Sequence, residues 1–81
     1  MRMPSSDVLD YLRREYPKGT RIKLISMDDP YSKLQPGTLG TVDFVDDMGT
    51  MHTNWDSGSR LGIVYMEDSI EKVAMEENDV Y

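Results

Sequence analysis

Apolar residues along this chain change period once. Val8, Leu12 and Tyr16 recur at helical spacing, with Leu9 widening the stripe, whereas from Arg21 onward apolar and polar residues mostly alternate in short runs. The first pattern predicts a helix over residues 6–16. Ser5 or Ser6 caps its start, because a serine hydroxyl accepts hydrogen bonds from the unpaired amides of a first turn. Asp7 suits the positive end of the helix dipole, Arg13 and Arg14 suit the negative end, and Pro17 with Gly19 stops the helix.

The alternating part predicts five short strands. Residues 21–27 place Ile22, Leu24 and Ser26 on one face and Arg21, Lys23 and Ile25 on the other. Asp28, Asp29 and Pro30 end that strand, and a loop runs to Gln35. Pro36-Gly37 fits a turn that needs a fixed φ and then a positive one. Residues 39–45 form the second strand, with Val42 and Phe44 alternating against Thr41 and Asp43. A hairpin turn over residues 46–49 leads to a strand at 50–55, where His52 and Asn54 oppose Met51, Thr53 and Trp55. A tight turn at 56–58 precedes a strand at 61–65 with Leu61, Ile63 and Tyr65 on one face. Residues 67–69 suit a single helical turn, and a last strand at 70–73 pairs back onto the first. These elements predict a mainly β fold, an SH3-like partly open five-stranded barrel with one N-terminal α-helix. The divisions are a helical extension at 1–16, the barrel at 17–73 and an acidic tail at 74–81.

The 81 residues allow one domain with a thin core, and without cysteine neither disulfides nor thiolate zinc can reinforce it. No cofactor is expected. No apolar segment approaches the ~18 residues that span a bilayer, so no membrane role and a cytoplasmic location are expected. Nine basic against fifteen acidic residues give a net charge of −6, which repels nucleic-acid phosphates unless the cations gather on one face. Arg21, Lys23, Lys33 and Arg60 are the residues that could form such a face, with Tyr31 beside them to stack on a base.

Five ordered blocks are Tyr16-Pro17-Lys18-Gly19-Thr20-Arg21-Ile22, Met27-Asp28-Asp29-Pro30, Pro36-Gly37-Thr38-Leu39-Gly40-Thr41-Val42, Val45-Asp46-Asp47-Met48-Gly49-Thr50 and Trp55-Asp56-Ser57-Gly58. Together they resemble a bacterial family known as domain of unknown function 4314, over residues 16–73, with the helix and the tail outside it. The resemblance implies an origin in bacteria, phages or conjugative elements and no particular chemistry. A looser similarity of the Gly-Thr-Val and Trp-Asp-x-Gly pieces to SH3-like modules implies a barrel that presents partner-binding loops.

Catalysis is not expected, because no nucleophile and base stand at a suggestive spacing and His52 is the only histidine. The doubled acids Asp28-Asp29, Asp46-Asp47 and Glu67-Asp68 fit turn chemistry better than a metal site, although Asp28, Asp46 and Asp47 could hold a weakly bound cation if they converged. Trp55 fits the core better than a surface anchor. The reading that results is a non-catalytic protein-binding module whose partner contacts Asp28, Asp29, Tyr31, Asp46 and Asp47. The alternatives are a nucleic-acid accessory protein, or an acidic inhibitor seated in the basic channel of a nucleic-acid-binding enzyme.

Overall fold

The computed structural model describes residues 4–27 and 34–73. The helix α1 spans Ser6–Glu15, and the Val8 N–H donates to Ser5 Oγ at 3.3 Å, so Ser5 is the cap. At the other end the Tyr16 N–H reaches the Leu12 carbonyl at 2.9 Å before Pro17 breaks the ladder. Leu12 is buried, with Val8, Leu9 and Tyr16 packed around it as the apolar stripe requires.

Five strands follow: β1 (Arg21–Ser26), β2 (Leu39–Val45), β3 (Thr50–Trp55), β4 (Ile63–Val64) and β5 (Ser69–Lys72). They form one antiparallel sheet in the order β4-β3-β2-β1-β5, so β5 returns to pair with β1 as the alternation predicted. β4 and β5 are the free edges, and the structure is a partly open small barrel with a helix packed on it. Leu12, Ile22, Leu24, Val42, Val45, Met51, Trp55 and Ile63 make the core. Thr53 is buried among them and its hydroxyl donates to the Met51 carbonyl at 3.2 Å.

Between β1 and β2 the Pro36-Gly37 turn is as expected, with Gly37 at φ 95° and the Thr38 N–H donating to the Gln35 carbonyl. Gly40 lies opposite Trp55, and any Cβ there would fall 2.7 Å from the indole ring. Only glycine leaves the indole its place.

Three expectations fail, each for a local reason. Phe44 does not share the inner face with Val42. The register between β2 and β3 shifts between Val42 and Phe44, and this extra residue turns Phe44 outward and Val45 into the core. Ser26 is exposed because a similar shift separates Leu24 from Ser26. The fourth strand is only two residues long, so Ile63 alone of Leu61, Ile63 and Tyr65 enters the core. Its approach is occupied otherwise: the Leu61 carbonyl accepts the Trp55 indole N–H at 2.8 Å, and the Leu61 N–H donates to Ser59 Oγ. Its exit is a turn in which the Glu67 and Asp68 amides both donate to the Val64 carbonyl, with Met66 at φ 75°.

Candidate functional site

The bulge in β2 creates the most unusual surface of the molecule. Phe44 is 51% exposed, far more than a ring on a small core-forming strand needs to be, and it stacks on His52 with centroids 4.4 Å apart and planes 7° from parallel. His52 is held from behind. Its Nε2 lies 2.8 Å from Asp46 Oδ2, and since a carboxylate only accepts, Nε2 is the donor in this contact.

Asp46 in turn is fixed by the hairpin it starts. Its Oδ1 accepts from the Met48 and Thr50 amides at 2.9 and 3.0 Å, the Gly49 N–H donates to its carbonyl, and Gly49 has φ 84°. Burial pushes the Asp46 carboxyl up, but the hydrogen bonds from His52, Thr50 and Met48 outweigh it and hold the group below the usual range. A chain of contacts therefore runs from turn backbone through carboxylate and imidazole to an exposed ring. No flexible side chain interrupts it.

The neighbouring Asp47 behaves differently. It is exposed and takes an ion pair from Arg13 Nη2 at 2.9 Å, while Arg13 also donates from Nε and Nη2 to the Val45 carbonyl at 3.3 and 3.1 Å. One guanidinium thus ties the end of α1 to the β2–β3 hairpin. Helix-dipole reasoning accounts for Arg13 near the helix terminus, but nothing in the sequence points to a carbonyl 32 residues away. Asp43, at the bulge, pairs with Lys18 at 2.7 Å, and that hydrogen bond holds its carboxyl low.

Phe44 separates two depressions. A groove of about 530 Å³ runs on its helix side along Tyr16, Pro17 and Lys18, and a smaller pocket of about 150 Å³ lies on its His52 side, closed by Thr53, Asn54 and Arg60.

The proposed basic face is only partly assembled. Arg21 and Lys23 share the outer side of β1, but Arg21 forms a bidentate pair with Asp56 at 2.9 and 2.7 Å, and Lys23 pairs with Glu71 at 3.2 Å. The hydrogen bond to Asp56 raises the Arg21 pKa and lowers that of Asp56. Arg60 lines the Phe44 pocket with Asn54, whose register partner Thr41 accepts from Arg21 Nη1 at 2.9 Å. Asp28, Asp29, Tyr31 and Lys33 fall outside the described residues. Of the suggested cation set, Asp46 and Asp47 are engaged by different partners, and among the described residues no group of three or more His, Asp or Glu is placed to hold a metal. Trp55 is 3% exposed and belongs to the core.

A second surface lies around Tyr65, an aromatic near a strand end that sequence alone suggests for contact, and its groove depends on the helix packing. At the open side of the barrel a groove of about 420 Å³ lies between α1 and the β4–β5 turn, floored by Leu12, Ile63 and Ile70. Tyr11 and Tyr65 approach to 6.3 Å beside Met66, which is 82% exposed. Among the described residues no helix is long and apolar enough to cross a membrane.

The family described as Domain of unknown function (DUF4314) matches residues 5–73, and the chain belongs to it. The match takes in the helix, which the resemblance over residues 16–73 left outside. No curated protein and no solved structure matches the chain.

Proposed function

We propose that this family member is a non-catalytic, SH3-like protein-binding module of bacterial or mobile-element origin, working in the cytoplasm, and that its partner docks on Phe44, His52 and the β2–β3 turn. The observation that carries this reading is Phe44 itself, a large apolar ring turned out of the core by the bulge and held in one orientation by the His52–Asp46 contacts. Aromatic residues of this kind supply much contact area at little entropic cost, and they recur as anchors of binding surfaces. Asp47 and Arg13 form a polar rim beside it, and Met48, also exposed, extends the apolar area onto the turn.

This surface keeps Asp46 and Asp47 in the binding region but gives them different tasks. Asp47 faces the partner, and Asp46 positions His52 and the turn. A nucleic acid on the outer side of β1 would have to displace Asp56 from Arg21 and Glu71 from Lys23, which favours a protein partner. Affinity capture from a bacterial host with wild-type, Phe44→Ser and Asp47→Ala baits tests the reading. Loss of one specific protein with Phe44→Ser, by at least about tenfold, is expected. Undiminished recovery with both variants overturns it.

A further inference from the structure

Among the described residues the chain matches its cations to acids with one exception. Arg13, Arg14, Lys18, Arg21, Lys23 and Lys72 each have a carboxylate within ion-pair distance, at 2.7 to 3.6 Å. Arg60 makes neither an ion pair nor a hydrogen bond with the described residues, and it acts on Asp43 only at longer range. In a chain of net charge −6 acids are plentiful, so an unmatched guanidinium is an exception to the pattern among the described residues.

Its position is equally particular. Arg60 borders the 150 Å³ pocket whose wall is the Phe44–His52 stack and whose other polar edges are Asp43, Thr53 and Asn54. The two acids nearest this pocket already have partners: Asp43 is on Lys18 at 2.7 Å, and Asp46 is on His52 at 2.8 Å. Among the described residues Arg60 is the group there with no carboxylate within ion-pair distance. We infer that this pocket receives a carboxylate of the protein partner, an Asp or Glu side chain or a chain terminus, with Arg60 as its ion-pair donor, Asn54 as a second donor and the adjoining apolar group of the partner lying on Phe44.

A guanidinium presents two parallel N–H groups that match a carboxylate. It matches phosphate equally well, but a nucleic acid brings a charge with every nucleotide, and Asp43 lines the pocket while Asp46 stands behind its His52 wall. A single carboxylate meets less of that repulsion than a chain of phosphates does. The inference rests on the reading of Phe44 and His52 as the partner surface, and adds to it the chemistry of what binds.

The test is a titration of the isotope-labelled full chain with two capped dipeptides, acetyl-Trp-Glu-amide and acetyl-Trp-Gln-amide, followed through the Arg60 Nε–Hε and Asn54 side-chain amide signals. The Glu peptide is expected to shift both signals and to bind about fivefold tighter than the Gln peptide, as one solvent-accessible charge-assisted contact allows. Arg60→Gln should bring that ratio to about one, and Phe44→Ala should weaken both peptides. Equal affinity of the two peptides, with binding still dependent on Phe44, overturns the role of Arg60 and leaves the aromatic surface standing. Binding of neither peptide overturns the inference, and if partner capture also ignores Phe44 the surface falls with it. Tighter binding of a twelve-nucleotide thymidine strand, with shifts centred on Arg60, overturns the carboxylate in favour of phosphate.

Discussion

A large ring stands toward each end of the β2–β3 ladder, Trp55 opposite Gly40 and Phe44 opposite His52, yet the first is 3% exposed and the second 51%. At the Trp55 end the pairing is regular, the facing residue has no side chain, and the indole N–H finds the Leu61 carbonyl. At the Phe44 end one extra residue has shifted the alternation, so the core receives Val45 and the ring is left outside on a histidine. Residue type therefore does not decide which aromatic stabilises the fold and which remains available for contact. The local register does.

The sharpest way to break the comparison is at the buried end. Trp55→Ala should cost about 3–5 kcal/mol, enough to unfold most of a domain this small at 25 °C, which urea titration followed by circular dichroism would register. Gly40→Val, aimed at the same ring from the opposite strand, should cost about 1–3 kcal/mol and lower the melting temperature, because its Cβ alone would sit 2.7 Å from the indole. Phe44→Ser should change stability by no more than about 1 kcal/mol while abolishing partner capture. Equal stability losses at Phe44 and Trp55 would erase the distinction.

Arg13→Ala should cost about 1 kcal/mol and loosen the attachment of α1 to the hairpin, visible as faster amide exchange in the helix, since it removes the hydrogen bonds to the Val45 carbonyl along with the Asp47 pair. The smallest effect concerns acid. Glu15, Asp43, Asp46 and Asp56 all have folded-state pKa values held below normal, so each contributes stability that is present above the unfolded carboxylate range and lost as pH falls through the folded values, from about pH 4 downward. Asp46→Asn should flatten part of that acid limb in melts between pH 6 and about pH 2, and the Phe44–His52 stack should lose its fixed geometry.

How far these regions were legible from residues alone follows the same division. The helix cap at Ser5, the turn at Pro36-Gly37, the buried Trp55 and the return of β5 onto β1 all depend on short-range chemistry or on strict alternation, and the sequence carries both. Val42-Asp43-Phe44-Val45 reads as simple alternation because either Phe44 or Val45 satisfies an inward position, and only packing against β3 chooses between them. Asp46 and Asp47 are identical in sequence terms; the hairpin geometry gives one to His52 and the other to Arg13. Arg60 was legible as a cation but not as the one without an ion pair among the described residues, since pairing depends on which strands become neighbours.

The opening between β4 and β5 also bears on how copies of the protein meet one another. An unclosed sheet exposes unpaired amides and carbonyls along two edges, and such edges recruit further strands into aggregates when they are long, flat and apolar. Here β4 ends after two residues at a turn whose positive φ at Met66 carries the chain off the ladder, and β5 presents Glu71 and Lys72 along its short length. The barrel can thus remain open at its seam while offering a neighbouring chain almost no ladder to extend.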